Sequence, residues 1–391
     1  MPWKKKSKEL QKLDLVRAMA AANVSVSELA RRSGVSRQTA YKWRARFRAA
    51  RLRGLRERSR RPLSLAAQSD ELWLRRTRRL RRRHPTWGAR KLRHVLARRF
   101  GNEKSPSVAA IGRWLKRWGL TRGRRRRLRG PQIARRPVLK SQRCHEVWTV
   151  DFKGWYRTGD GVRVEPLTIR DLYSRYGLAI VLLPSISVRA TQRAMRRVFA
   201  RHGLPERIRC DNGTPFGAIG TTGLTRLSAW WVKLGIEVEF ITPGRPSENG
   251  AHEQFHRVYK AEVARRPAQT VRAQQRRSDR WLLVYNGERP HEAIGMKTPI
   301  EVFEKNGRRM SKVIKPWRYP EGWVARWVKG NGEISWRGKR RYVGEAFVRD
   351  YVGLKPTGFG IWRVYFGPML VGELREKEVG AIRMARYARG G

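Results

Sequence analysis

Three carboxylates, Asp151, Asp211 and Glu253, stand where a charge has no evident structural use. Asp151 interrupts an apolar run, with Val147-Trp148-Thr149-Val150 before it and Phe152 after it, so it falls at the end of what reads as a buried strand. Asp211 ends a second short strand, Ile208-Arg209-Cys210, and opens the turn Asn212-Gly213. Glu253 lies beyond the breaker-rich segment Pro243-Gly244-Arg245-Pro246, near the start of a predicted helix. Carboxylates brought together from separate elements repel one another unless a divalent cation neutralises them. Hard oxygen ligands suit Mg²⁺ or Mn²⁺, which keep exchangeable positions for substrate oxygens.

The surrounding pattern supplies elements to hold these groups. A strand over 146–151 is followed by strands over 164–171 and 177–183, an antiparallel meander. Helical spacing over 188–202 stops at Gly203-Leu204-Pro205, and the strand at 208–210 follows that crossover, so it is expected parallel to the first. Asp151 and Asp211 then share one sheet edge. A helix over 224–234 and a strand over 238–241 precede the helix over 248–263 that carries Glu253. Glu253, His256, Arg257 and Lys260 are spaced to share a face, a carboxylate backed by a basic ridge. Glu248 is the rival carboxylate, but its place before Asn249-Gly250 leaves it more easily solvated. His252 and His256 read equally well as phosphate contacts or as residues of the helix surface.

Composition names the partner class. Lys and Arg number 90 against 31 Asp and Glu, a formal charge of +59, which implies a polyanion. Residues 1–140 hold 44 basic and 7 acidic side chains and carry most of the imbalance. Yet 16 Trp and 40% hydrophobic residues are enough for several cores, which excludes a small core with basic tails. Cys144 and Cys210 are too few for a zinc module or a disulfide framework. No apolar run approaches the roughly 20 residues of a membrane span. The basic start lacks a signal-peptide apolar segment, so a reducing cytoplasm, with nucleoid association on DNA, is expected.

Near the N-terminus, helices over 13–21, 27–32 (capped by Ser27) and 36–47 flank the turn Ser33-Gly34-Val35, with Ala40, Trp43 and Phe47 facing inward. That pattern is a helix-turn-helix, whose second helix enters the major groove N-terminus first. Ser36, Arg37, Gln38 and Thr39 are the candidate base contacts, and Lys42 and Arg46 the phosphate contacts. A linker at 54–62 leads to a second helical unit, opened by an arginine-rich helix over 69–83, with Leu92, Val95, Leu96, Ile111, Leu115 and Trp118 as its core. Residues 122–140 form a cationic linker expected to be disordered without phosphate to lie on. The expected domains are 1–56, 63–121, a linker at 122–143, a catalytic core at 144–304 and a strand-rich module at 317–385. Alternating strands at 322–329, 333–342, 360–366 and 370–374 with Gly turns predict a small β barrel there.

These motifs together resemble the integrase-core, or DDE, transposases of bacterial insertion sequences. The carrying residues are Asp151-Phe152-Lys153-Gly154, Asp211-Asn212-Gly213-Thr214-Pro215-Phe216, Asn249-Gly250 with Glu253, and Tyr285-Asn286 with Arg289-Pro290-His291-Glu292-Ala293. Trp87-Gly88-Ala89-Arg90-Lys91-Leu92, Trp230-Trp231 with Leu234-Gly235, and Gly332-Glu333-Ile334 with Trp336-Arg337-Gly338 extend the likeness over nearly the whole chain. The resemblance implies a multidomain α+β protein with a ribonuclease-H-like α/β core and Asp151, Asp211 and Glu253 as catalytic metal ligands. Between Asp211 and Glu253 lie 41 residues rather than the 35 of the common family pattern, and the glycine- and threonine-rich loop at 217–223 can house the excess. Two Mg²⁺ or Mn²⁺ ions about 3.5 to 4 Å apart would then serve an in-line displacement. Arg90, Asn249, Arg257 and Lys260 join the candidate DNA contacts. The expected activity is cleavage at element ends and strand transfer into target double-stranded DNA by a homo-oligomer, with no membrane partner. A DNA-binding regulator with an unused core, and a nuclease that cuts without joining, are the alternatives.

Overall fold

Hydroxyl caps open most of the described helices. In the computed structural model, residues 7–21, 24–57, 70–103, 105–121, 141–218, 223–242 and 246–384 are described, and they fall into two units that divide between Asp70 and Glu71. The cationic linker expected at 122–140 lies outside the described residues, as do 219–222 and 243–245.

The first unit holds α1 (Lys8–Ala20), α2 (Val26–Arg32) and α3 (Arg37–Gly54), with Ser7, Ser25 and Ser36 accepting backbone N–H groups of their first turns. Ser25, rather than the predicted Ser27, caps α2, because Ser27 already lies within its first turn. Gly34 makes the intervening turn at φ +65°, a left-handed conformation that glycine adopts without Cβ strain. Leu15, Ala30 and Ala40 close one side of the unit and Val16, Trp43 and Leu55 the other. α3 runs past its predicted end to Gly54, with non-helical backbone at Ala50 and Arg51.

The second unit begins with α4 (Glu71–Arg83), α5 (Ala89–Phe100) and α6 (Val108–Arg117), packed on Trp73, Trp87, Leu92, Leu96, Ile111, Trp114 and Leu115. Val95 and Trp118 border that core, half-buried.

Next come β1 (Val147–Phe152), β2 (Tyr156–Arg157), β3 (Arg163–Asp171) and β4 (Gly177–Leu183), then α7 (Val188–His202), β5 (Arg207–Cys210), α8 (Arg226–Lys233) and β6 (Glu237–Phe240). The sheet order is β2-β3-β1-β5-β6, with β4 on β3. β1 is antiparallel to β3 and parallel to β5, as the helical crossover requires. Trp148, Val150, Ile208, Phe199 and Trp231 lie in the core between the sheet and α7 and α8.

A 3₁₀ turn at Pro246–Asn249 leads into α9 (Gly250–Tyr259), which ends in a π turn at Lys260–Ala264. α10 (Val271–Gly287) then packs on β4. Its apolar residues crowd one end, and it buries Gln274 and Ser278, so helical periodicity in the sequence is masked. The short α11 (Pro299–Val302) follows, opened by a capping box between Thr298 and Glu301.

The C-terminal strands are β7 (Val324–Trp327), β8 (Glu333–Trp336), β9 (Lys339–Tyr342), β10 (Tyr351–Gly358), β11 (Ile361–Phe366), β12 (Met369–Arg375), β13 (Gly380–Ala381) and β14 (Arg383–Met384). They form a five-stranded sheet, β14-β12-β11-β10-β7, and a three-stranded one, β13-β9-β8. Among the described residues the two do not close into the expected barrel. The chain leaves β7 and turns at Lys329–Gly332 into β8 of the other sheet, so β7 is an edge. Both sheets bury Val328, Ile334, Phe347, Leu354, Phe366 and Leu374. No helix among the described residues is long and apolar enough to cross a membrane.

Candidate metal and nucleic-acid site

Adjacent parallel strands bring the first two carboxylates to one edge. Thr149 on β1 stands opposite Arg209 on β5, two residues before Asp151 and Asp211 respectively. Phe152 packs against Phe216 at 5.7 Å between ring centroids, which ties the loop after Asp211 to the strand of Asp151. Within that loop the Gly213 N–H donates to Asp211 Oδ1 (3.2 Å), and the Asn212 side-chain amide donates to the Ile241 carbonyl (2.7 Å).

Burial and like charge leave Asp151 hard to ionise. Its pKa is raised to about 7, chiefly by loss of solvent and then by Asp211, with Glu253 adding to the rise; the Phe152 N–H and Lys153 oppose it. Asp211 is also raised by burial, against the Gly213 N–H. Glu253 is exposed on α9 and acts on Asp151 through its charge. The rival Glu248 has a backbone task, accepting the Thr242 N–H at 2.8 Å.

His252 and His256 are buried, which removes both readings made of them as surface residues. His256 also leaves the basic ridge, so Glu253, Arg257 and Lys260 are the exposed members of that set. Thr168, across from Asp151 in the β1–β3 register, is the hub of the buried side. Its hydroxyl oxygen lies 3.0 Å from the Asp151 carbonyl, 2.6 Å from His252 Nε2 and 2.7 Å from His256 Nε2. A hydroxyl has one proton, and a carbonyl only accepts. The assignment that satisfies all three contacts has Thr168 donating to the carbonyl and accepting from both Nε2–H groups. His252 Nδ1 then accepts from the Thr149 hydroxyl at 2.7 Å.

Both rings are neutral. Burial holds His252 well below the usual histidine range and lowers His256 to about 3. His256 Nδ1 therefore turns a lone pair toward Asp151 Oδ2, 3.7 Å away, and the two are not an ion pair. Asp151, His252 and His256 bring potential ligand atoms within 4.8 Å of one another, but both His252 nitrogens already have partners. Only His256 Nδ1 of this imidazole pair is open beside the carboxylates.

Thr149 and Thr168 were not singled out from sequence. The available signal was alternation, since Thr149 shares a strand face with Asp151. Thr168→Val is expected to leave two buried imidazole N–H groups without an acceptor and to lower stability by at least about 2 kcal/mol. Urea unfolding measures this, and an unchanged midpoint would remove Thr168 as the hub.

The expected DNA contacts are placed variously. Arg37, Gln38 and Lys42 are exposed on α3, while the Ser36 and Thr39 hydroxyls meet at 2.9 Å within the cap. Arg46 lies 5.0 Å above the Trp43 ring. Arg90 pairs with Glu292 at 3.2 Å. Asn249 is buried, and its Oδ1 has no partner among the described residues.

Comparison with known proteins adds the family. Integrase core domain families match residues 141–246 and 234–299, and an IS481 family transposase C-terminal domain matches 324–379. A helix-turn-helix domain matches 11–62, and a homeodomain-like domain matches 39–115. An uncharacterized 31.7 kDa protein of insertion element IS407 from Burkholderia multivorans is 30% identical over 221 residues, 56% of this chain and 76% of that protein. A 39.2 kDa counterpart of IS476 from Xanthomonas euvesicatoria is 28% identical over 222 residues, 56% of this chain and 60% of its own length. Among solved structures, the HTLV-2 integrase catalytic core in complex with magnesium is similar with a TM-score of 0.33 and 14% identity, covering 42% of this chain and 99% of that one. The simian T-cell lymphotropic virus intasome in complex with a PP2A regulatory subunit gives 0.38 and 13%, covering 75% and 97%. With helix-turn-helix segments ahead of an integrase core and insertion-element proteins as relatives, the chain belongs to the insertion-sequence DDE transposases, whose core is ribonuclease-H-like.

Proposed function

We propose that the protein binds the ends of an insertion element and catalyses metal-dependent 3′-end hydrolysis followed by strand transfer into target DNA. The observation that carries this reading is the charge conflict at the ends of β1 and β5, where Asp211 and Glu253 both raise the pKa of Asp151. A divalent cation bound there would relieve that repulsion at the half-buried Asp151. The donor set fits Mg²⁺ or Mn²⁺, with Asp151, Asp211 and Glu253 as the ligands. When bound, two such ions supply charge stabilisation for an in-line displacement at phosphorus.

The chain's own groups do the rest. Arg257 on α9 and Lys260 at the start of the π turn form an exposed basic ridge beside Glu253 to hold the phosphodiester. Lys153 lies near enough to Asp151 and Lys260 to feel both charges, so it links the ridge to the first carboxylate. Arg37, Gln38, Lys42 and Arg46, with Ser36 and Thr39 at the cap, are the proposed reading surface of α3, and Arg90 is a further proposed backbone contact. Hydrolysis frees a 3′-hydroxyl, which then attacks a target phosphodiester and displaces a target 3′-oxygen. Pairing two element ends calls for more than one copy of the chain, acting on double-stranded ends and target alike.

The test incubates the full chain with labelled element-end duplex, supercoiled target and Mn²⁺. Joined product is expected, and Glu253→Ala is expected to lower it by at least about a hundredfold. Joining that survives Glu253→Ala unchanged would sink the site assignment. Cut but unjoined ends would favour a nuclease, and binding without either product an unused core.

A further inference from the structure

On the flank of α9 next to Glu253 lies a cavity of about 400 Å³, lined by Gly250, Ala251 and Gln254 of that helix. Four cations border it: Lys91 of α5, Arg170 of β3, Arg175, and Arg289 beyond α10. Arg170 is 2% and Arg289 6% exposed, so these are not solvated surface charges. Burying a cation without an anion is costly.

The nearby carboxylates are shared with other partners and are fewer than the cations. Asp171 accepts from the His145 N–H and from the Ser174 N–H and hydroxyl. Glu292, on the rim, pairs with exposed Arg90. Glu262 stands 3.6 Å from Arg289 and also accepts from Thr86 and the Trp281 indole. Among the described residues two of the cations have only carbonyls as hydrogen-bond partners: Lys91 donates to Pro290 and Arg170 to Ala251. Two buried guanidinium donors, Arg170 Nε and Arg175 Nε, have no partner among the described residues, nor has the ring nitrogen His291 Nε2. Lys91 is lowered to about 8, by burial first and by Arg289 next, with Glu292 opposing them only in part.

We propose that this cavity is a phosphate-binding site, and that its occupant in the working complex is a backbone phosphate of the DNA strand that crosses α9. The second clause rests on the proposed function. Arginine forks match phosphate oxygens bidentately, and a phosphodiester monoanion would fill the donors now unpaired. The three arginines come from β3, the turn after it and the segment after α10, with Lys91 from the second helical unit. An anion seated here therefore clamps that unit to the catalytic helix, one residue from Glu253.

The experiment has two arms on the full chain. In the first, single neutral methylphosphonate replacements are walked along the element-end duplex and binding is measured. One or two positions are expected to weaken wild-type binding about tenfold, with no further loss at those positions in Arg175→Gln. In the second, inorganic phosphate at fixed ionic strength is expected to raise the wild-type melting temperature and to leave Arg175→Gln unmoved. Lys91→Gln, on a different element, repeats both arms in case Arg175→Gln fails to fold. A phosphate response without a methylphosphonate difference assigns the site to free phosphate and overturns the DNA occupant. No difference from wild type in either arm overturns the site itself. Asp151→Asn, which spares the cavity, should keep both responses even when joining is lost, so failure of the catalytic reading stays distinguishable.

Discussion

Asp151→Asn is expected to abolish strand joining and, at the same time, to raise the melting temperature of the metal-free protein at pH 7.5. The folded pKa of Asp151 is about 7, above its ordinary 3.8. Between those values the native state holds a proton that the unfolded chain has released, so this group's contribution is fully present below about pH 4 and is lost as pH rises through 7. Above pH 7 the folded protein carries a half-buried, repelled carboxylate. The shift corresponds to an upper bound of about 4 kcal/mol, and an amide of the same shape carries none of it. The Asn side chain also offers an N–H toward the His256 Nδ1 lone pair, where the ionised carboxylate offers only repulsion.

Melting curves in chelator from pH 4 to 8 measure this. The gap between variant and wild type should be small at pH 4 and open toward pH 7.5. Added Mn²⁺ should stabilise wild type and leave the variant unmoved. A variant that melts lower at every pH would mean that joining was lost through misfolding and would withdraw the electrostatic reading of this site.

DNA affinity is expected to fall about 10³-fold or more between 50 and 200 mM salt if six or more phosphates are contacted. The raw charge of +59 overstates the footprint. Arg83, Arg90 and Arg98 pair with Glu288, Glu292 and Glu301, inside the second unit. Exposed pairs of this kind contribute about 1 kcal/mol or less to stability, yet each lowers the charge presented to a duplex. Arg37, Lys42, Arg257 and Lys260 are exposed and have no carboxylate among these pairs, so they should carry the dependence. Fluorescence anisotropy across a salt series gives the slope of log affinity against log salt. A slope shallower than about −2 would contradict a backbone-dominated footprint.

Much of the core was legible because its strands end in residues that no strand needs. The apolar run before Asp151 and the crossover before Asp211 fixed the parallel pairing of β1 and β5 through the handedness and length of helical connections. Glu253 was ranked above Glu248 on the expectation that Glu248 is the more solvated, but Glu248 is half-buried on the Thr242 N–H and Glu253 is the exposed one, so turn chemistry around Asn249-Gly250 did not reveal their relative burial. Less visible was the buried polar layer. Thr149 and Thr168 resemble any β-branched strand residues, and only the register between β1 and β3 places Thr168 against Asp151. His252 and His256 are spaced as an ordinary helix pair, so their burial depends on which side α9 turns to the sheet. α10 was missed because tertiary contacts with β4 hold a helix whose buried residues include Gln274 and Ser278. The C-terminal strands were read individually, but their division into two sheets depends on long-range pairing that alternation does not encode.

One hydroxyl, that of Thr168, touches the backbone of the first carboxylate's strand and both imidazoles of the helix that carries the third. A one-residue slip of β3 would set Leu167 or Ile169 in its place and turn every inward side chain outward. The sheet would still hydrogen-bond, but α9 would lose its seat. The seat of α9 on the sheet thus acts as a check on strand alignment, because a chain paired in the wrong frame offers the two imidazoles no hydroxyl to meet.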